Sequence, residues 1–187
     1  MEQQCNDNQI GLKTIGELSG LSFFIPNYQR GYRWTRQQVK DLLNDINEFD
    51  ASKDGFYCLQ PLVVRLRNEK DIVTKIHERN KLSEIREILN KSVGKWEVID
   101  GQQRLTTIYI ILRCLDSNES YSLEYATRAQ SREFLLNMDK DEGDNIDFYY
   151  MAQARKTVNE WLKPDFDKGA FLDKLKTNVN FIWYESV

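Results

Sequence analysis

The stretch Trp96-Glu97-Val98-Ile99-Asp100-Gly101-Gln102-Gln103-Arg104-Leu105-Thr106-Thr107 carries the most informative pattern in the chain. Its first four residues are mostly apolar and predict a short buried strand. Gly101 permits a left-handed backbone and therefore a sharp turn. The residues from about Gln103 to Leu115 then predict a buried helix, because their apolar positions recur at helical spacing. The core side of that helix is predicted to hold Leu105, Ile108, Ile111, Leu112 and Leu115.

The polar residues at this turn have the chemistry of a phosphate site. The candidates are Asp100, Gly101, Gln102, Gln103, Arg104, Thr106 and Thr107. Free amides at a helix N-terminus attract anions, and the guanidinium fork of Arg104 suits phosphate. Asp100 is a candidate to coordinate Mg²⁺ or to accept a hydrogen bond from a water or a ribose hydroxyl. A capped helix start with solvated glutamines and arginine explains the same residues, so both interpretations stay open.

A second polar segment, Ile25-Pro26-Asn27-Tyr28-Gln29-Arg30-Gly31-Tyr32-Arg33-Trp34, is predicted to form a loop. It interleaves the donors Gln29, Arg30 and Arg33 with aromatic rings. That mixture suits phosphate contact and base stacking. A packed aromatic corner with cation–π contacts is the alternative. Because two such segments occur in one chain, a ligand site becomes the better interpretation.

The remaining pattern mixes helices and strands and predicts an α+β fold. Predicted strands are Ser22–Ile25, Phe56–Leu59, Leu62–Leu66 and a terminal segment 181–187. Predicted helices are a short one beginning at Thr14, one at 36–49 capped by Thr35, and further ones at 125–138, 149–162 and 168–176. Residues 67–95 predict an amphipathic helical insertion, and 139–147 an acidic, solvated loop.

Composition excludes several classes of protein. The 187 residues are 41% apolar and 29% charged. This composition and length are ordinary for one globular domain, or for one domain with a fragment of a second. The net charge of −3 disfavours a protein that binds nucleic acid mainly by bulk charge. Three widely spaced cysteines and a single histidine, His77, exclude a multi-histidine metal site and disfavour a disulfide framework. With no long apolar run and no signal-peptide pattern, we expect a cytoplasmic protein without a membrane span.

The chain resembles the N-terminal domain of GmrSD-type modification-dependent restriction proteins. Three segments carry the resemblance: Ile25-Pro26-x-Tyr28-Gln29-Arg30-x-Tyr32-x-Trp34, Leu42-Leu43-x-Asp45-Ile46 and Ile99–Thr107. The Asp-Gly-Gln-Gln-Arg match is complete. The resemblance covers residues 12–115 well. One strand motif of the family ends in Leu-Gly, whereas this chain has Leu59-Gln60-Pro61, which departs from the family at that turn.

The chain is also similar, more distantly, to the N-terminal domain of ParB partition proteins. The segments concerned are Asn27–Gln29, Leu59–Arg65 and Ile99–Arg104, although the last motif reads Gly-Glu-Arg-Arg in that family. This resemblance implies a ParB/sulfiredoxin-like fold, a small mixed sheet with flanking helices, that binds a nucleotide with its loops. We therefore expect such a domain over residues 1–115. A helical extension over 116–187 would follow it and be truncated or continue in a longer protein.

These resemblances imply a nucleotide-binding and NTP-hydrolysing module of a restriction or anti-phage protein, with an NTP and Mg²⁺ as ligands. Arg104 and Gly101 would hold phosphates, with Thr106 and Thr107 nearby. Asp100 would hold the metal or the attacking water, and Gln102 or Gln103 would orient that water. The opposite loop would close the site with Gln29, Arg30 and Arg33.

The implied partners are a nucleotide, DNA in the full system and a nuclease domain or subunit. A His-Asn-His nuclease needs histidines, and this chain has only His77. Cutting activity is therefore not expected from this chain alone, and NTP hydrolysis is the enzymatic activity that the resemblance leaves open. Two alternatives remain. One is a non-catalytic DNA-recognition module that uses the basic residues of 65–95 and the Gln29–Trp34 loop. The other is a metal-dependent nuclease that uses Glu97 and Asp100.

Overall fold

A computed structural model describes residues 8–67, 95–115, 120–126, 134–135 and 146–186. The strands are β1 (Gln9–Thr14), β2 (Ser22–Ile25), β3 (Tyr57–Leu66), β4 (Lys95–Asp100), β5 (Ser122–Tyr125) and β6 (Val179–Glu185). The helices are α1 (Arg36–Glu48), α2 (Ala51–Asp54), α3 (Gln102–Cys114), α4 (Ile146–Trp161) and α5 (Lys168–Asn178). A 3₁₀ turn, Gly16–Leu18, follows β1. The predicted α+β class is confirmed.

The six strands form one mixed sheet in the order β1-β6-β3-β4-β2-β5. β6 pairs antiparallel with β1 and parallel with β3, and β3 pairs antiparallel with β4. β2 lies parallel to both β4 and β5. Strands from both sides of residue 115 therefore share this sheet. The similarity to the ParB fold stays a prediction.

Helix α3 is the centre of the core. Its middle positions are buried on every side, from Leu105 to Leu112. Helix α4 packs against both α1 and α3. Because α3 follows β4 through a single glycine, the packing of α3 also fixes the position of the turn at Gly101.

Local sequence patterns predicted several elements well. β2 occupies the predicted residues, and α1 begins after Thr35 with the expected cap. The Thr35 hydroxyl accepts from the Gln38 amide while the Gln38 side chain accepts from the Thr35 amide. Thr14 and Glu17 make the same reciprocal pair of bonds around the start of the 3₁₀ turn. These local bonds satisfy backbone amides that would otherwise lack a partner at the start of a helix, and they thereby stabilise that start.

Two predictions of secondary structure need correction, and one strand was missed. Pro61 does not divide the strand 56–66, because β3 runs through it with a bulge between Leu59 and Pro61. Tyr125 ends β5 instead of beginning a helix, because that segment pairs with β2. β1 was not predicted at all, since its polar and glycine-containing sequence becomes a strand only by pairing with β6.

Other predictions fall wholly or partly on residues outside the described ranges. They are the helical insertion at 67–95, most of the helix at 125–138, and most of the acidic loop at 139–147. Within the part of the chain that the structure describes, no helix has both the length and the apolar character needed to cross a membrane.

Candidate functional site

The two segments that carry the sequence motifs lie side by side. The loop at 27–34 is fastened to the β4–α3 turn by four hydrogen bonds. Gln29 Nε2 donates to the Ile99 carbonyl at 2.5 Å, and Gln102 Nε2 donates to the Arg30 carbonyl at 2.6 Å. The Gln103 amide bonds the loop twice, by donating to the Gly31 carbonyl and by accepting from the Arg33 amide. The loop is thereby fixed against the N-terminus of α3.

Gly101 makes this arrangement possible for two separate reasons. Its φ of 92° lies in the left-handed region, which side-chain-bearing residues rarely adopt. A Cβ atom there would also come within 2.8 Å of the Pro61 carbonyl oxygen of β3. Only glycine therefore lets α3 begin so close to β3. The first amides of the helix are consequently placed beside the middle of the sheet.

Arg104 is a half-buried cation at the start of α3 that this packing leaves available to a ligand. Its side chain is half-buried, and burial lowers the pKa of its guanidinium, while the nearby Asp100 partly offsets that effect. No hydrogen bond or ion pair joins the Arg104 guanidinium to another residue of the described ranges. A half-buried guanidinium that lines a cavity and makes no hydrogen bond or ion pair within the described ranges is free to pair with an anionic ligand.

Arg104 lines a cavity of about 360 Å³ between α1, β3 and the loop. Trp34, Asp41, Asp45, Tyr57 and Gln60 also line it. The Tyr57 hydroxyl donates to Asp45 at 3.2 Å. Burial and Asp45 raise the pKa of Tyr57, and the positive charge of Arg104 opposes this rise. The cavity therefore has a cationic wall and an acidic wall, with Tyr57 between them.

The two glutamines of the motif are structural ties as well as candidate catalytic groups. Gln102 and Gln103 are 4% and 8% exposed, and their bonds hold the loop. Gln102 Oε1 is buried and has no hydrogen-bond partner among the described residues. An acceptor of this kind is a position where a water or hydroxyl donor fits. Orientation of a water by either glutamine stays a prediction.

Thr106 and Thr107 are fully buried within the protein. The Thr106 hydroxyl bonds the Tyr125 hydroxyl at 2.6 Å. The Thr107 hydroxyl bonds Tyr32 at 2.9 Å and donates to the Gln103 carbonyl. Burial raises the pKa of the Tyr32 hydroxyl, and the hydrogen bond to Thr107 partly opposes this rise. Contact of either threonine with a ligand stays a prediction.

Arg33 differs from Arg104 because a protein carboxylate holds it. Its guanidinium pairs with Asp147, which is 1% exposed in the first turn of α4, and lies 5.6 Å from the centre of the Tyr150 ring. Sequence reasoning missed Asp147, because its interaction with Arg33 spans 114 positions. Gly31 is needed at this contact, since a Cβ atom there would overlap the Asp147 carboxylate.

The charged residues Arg30 and Asp100 are exposed at the same end of the sheet. Asp100 Oδ1 accepts from the Gly101 amide at 2.8 Å, so the carboxylate is held at the turn. Among the described residues, no group of three or more metal-ligating side chains lies together. Asp100 still fits Mg²⁺, because that ion commonly takes one carboxylate together with phosphate oxygens and waters.

Glu97, the second carboxylate of the nuclease alternative, is already engaged elsewhere. Its oxygens accept from the Tyr28 hydroxyl at 2.9 Å and from Arg65 at 3.2 Å. It stands three residues before Asp100 in β4, and residues an odd number of positions apart in a strand face opposite sides of the sheet. The backbone thus does not direct the two carboxylates to one metal.

Comparison with known families agrees with this architecture. The family model for the GmrSD restriction endonuclease N-terminal domain matches residues 7–186, nearly the whole chain. The chain therefore belongs to this family, a module of restriction and defence proteins. Among curated protein sequences, none matches the chain significantly.

Proposed function

We propose that this domain binds a nucleoside triphosphate with Mg²⁺ in the Arg104 cavity and hydrolyses it. One observation carries the proposal: Arg104 is half-buried, has no partner among the described residues, and lines a cavity beside a glycine turn and a helix N-terminus. Each of these features favours phosphate. In the proposed site, the guanidinium and the helix amides act on one anion.

The phosphates are proposed to lie against Arg104 and the first amides of α3, with the exposed Arg30 at the entrance. Trp34 lines the same cavity and offers a ring surface for the base or sugar. Arg33 and Gln29 act indirectly in this arrangement. They hold the loop, through Asp147 and the Ile99 carbonyl, in the position that places Trp34.

Magnesium is needed in this proposal because of the acidic wall. Asp41 and Asp45 line the cavity, and Asp100 stands at the turn. These three carboxylates would repel a metal-free triphosphate. Mg²⁺ bound to the phosphates neutralises part of their charge, with Asp100 as the protein ligand. Binding of the nucleotide should therefore depend strongly on Mg²⁺.

Hydrolysis needs a group that orients the attacking water. Gln102 is the best candidate, because its Oε1, at the first turn of α3, is an acceptor without a hydrogen-bond partner among the described residues, while its Nε2 donates to the Arg30 carbonyl. A glutamine anchored at one atom can hold a water at the other. In the full system we propose that this turnover regulates a nuclease domain or subunit that acts on DNA.

Calorimetric titration of the purified chain with ATP, GTP, CTP and UTP, with and without Mg²⁺, tests the proposal. Arg104→Ala should weaken binding roughly 10- to 150-fold, because a hydrogen bond to a charged group is worth about 1.5–3 kcal/mol. Arg36→Ala is the matched control, since it also removes one arginine, whose side chain pairs with Glu160 at the surface, away from the Arg104 cavity.

Two results would contradict the proposal. One is the absence of binding by every nucleotide with Mg²⁺. The other is equal affinity of the wild-type chain and Arg104→Ala. If binding is observed, release of phosphate by Gln102→Ala should then be slower than by the wild-type chain, which tests the hydrolysis step separately from binding.

A further inference from the structure

A second cavity lies on the other side of α1, between that helix and the end of α4. Its volume is about 410 Å³. We call it the α1–α4 groove, and its walls include Lys40, Asn44, Asn47, Trp161, Lys163 and Phe166. None of these residues belongs to the Arg104 site. The groove thus offers a separate surface with its own chemistry.

The charge of the groove is positive, although the chain as a whole carries −3. Lys40 and Lys163 are exposed, and their ammonium groups have no hydrogen-bond or ion-pair partner within the described ranges. Glu160 also lines the groove, but its carboxylate is neutralised by Arg36. Within the described ranges, one unpaired cation therefore lies on α1 and another in the segment that follows α4, which favours an anionic ligand that contacts both sides of the groove.

The floor of the groove is aromatic and rigidly held. Trp161 packs edge-on against Phe166, with ring centroids 4.8 Å apart, and at a tilt against Phe171, with ring centroids 5.3 Å apart. Its indole Nε1 donates to Asn44 Oδ1 at 2.8 Å, which fixes the orientation of the ring. Because its oxygen is occupied, Asn44 presents its amide N–H groups as donors. The groove combines a flat apolar wall with amide donors and two cations.

We propose that the α1–α4 groove binds single-stranded nucleic acid. An unpaired base lies against Trp161 and Phe166, its edge meets the side-chain amides of Asn44 and Asn47, and flanking phosphates pair with Lys40 and Lys163. Base–aromatic stacking with phosphate-binding cations is the common mode of single-strand recognition. A duplex does not satisfy this groove, because its base faces are covered by neighbouring base pairs. This inference does not depend on nucleotide binding at Arg104.

Fluorescence anisotropy with a labelled twelve-residue oligothymidylate at low salt tests the proposal. The double charge reversal Lys40→Glu with Lys163→Glu should weaken binding at least tenfold. It should also reduce the slope of log affinity against log salt by about 1.4, since each phosphate contact on a single strand contributes about 0.7. Lys53→Glu with Lys156→Glu is the matched control, because it changes the net charge equally and touches no groove residue.

A second readout uses the ring itself. Binding of the oligonucleotide should quench tryptophan fluorescence, and Trp161→Phe should remove most of that change while retaining an aromatic ring in the core. Arg104→Ala should bind the oligonucleotide as the wild-type chain does. This keeps a failure of the groove proposal distinct from a failure of the triphosphate site.

Four outcomes would overturn the inference. They are no binding of the oligonucleotide at low salt, equal loss in the control and groove variants, equally tight binding of a duplex of the same length, and equally effective competition by polyglutamate. The last result would identify the groove as a site for an acidic peptide.

Discussion

Replacement of Gly101 by alanine tests the geometry that places the candidate phosphate site. The new methyl group would occupy a backbone with φ of 92° and would stand 2.8 Å from the Pro61 carbonyl oxygen. It would also stand 3.1 Å from Leu62 Cδ1. Pro61 lies in β3, opposite Ile182 of β6, so its carbonyl cannot move without disturbing the sheet.

The expected cost has two parts. A left-handed conformation costs an alanine about 1–2 kcal/mol relative to glycine. Overpacking against a backbone atom in a well-packed region costs about 1–3 kcal/mol more. We therefore expect Gly101→Ala to lower the free energy of unfolding by roughly 2–5 kcal/mol. In a chain of this size each kcal/mol corresponds to roughly 2–4 °C in Tm.

Gly20 supplies the matched control. Its φ of 78° is also left-handed, but a Cβ atom there would meet nothing within 4 Å. Gly20→Ala should therefore show the conformational cost alone, about 1–2 kcal/mol. Urea unfolding followed by circular dichroism measures both variants under the same conditions. The difference between them isolates the close approach of the α3 turn to β3.

Equal destabilisation by the two substitutions would refute this reasoning. It would mean that the turn and β3 can separate enough to admit a methyl group at little cost. The first amides of α3 would then lack a fixed position beside the sheet, and the argument for a preformed anion site would lose its structural basis.

Two further predictions concern the supports of the site. Arg33→Ala should destabilise the fold by at least about 1 kcal/mol more than Asp147→Asn, because the first leaves a carboxylate that is 1% exposed without its paired guanidinium. The Arg33 side chain is one-third exposed, so its charge can still reach water in Asp147→Asn. Urea unfolding of both variants measures the difference in the free energy of unfolding. Thr35→Ala should cost about 1 kcal/mol through loss of the α1 cap, while Thr35→Ser should retain most of the stability in the same assay.

The elements that the sequence predicted well are those governed by neighbouring residues. The turn at Asp100-Gly101, the Thr35 cap and the apolar face of α1 each depend on residues a few positions apart. Local hydrogen bonds and helical periodicity decide these structures, so a single sequence suffices to locate them. The pairing of the loop at 27–34 with the turn was expected only from their chemistry.

The rest depends on distant pairing that leaves no local pattern. β1 carries exposed Ile10 and Leu12 and a glycine, and its strand character comes from β6, which lies about 170 positions later in the chain. The bulge at Pro61 lets a residue that usually interrupts strands remain in β3. In the same way, the acidic wall of the Arg104 cavity comes from α1. No local sequence pattern indicates that the carboxylates of α1 line this cavity.

The comparison of Arg33 with Arg104 shows why function is harder to predict than fold. Both arginines belong to matching motifs, and both were candidates for phosphate binding. Packing of α4 brings Asp147 to Arg33 and pairs that cation within the protein, whereas Arg104 stays half-buried and makes no hydrogen bond or ion pair within the described ranges. A sequence states which charged groups exist, but long-range packing decides which of them remain for a ligand. The residue left over by that packing, and not the motif as a whole, defines the site proposed for the nucleotide.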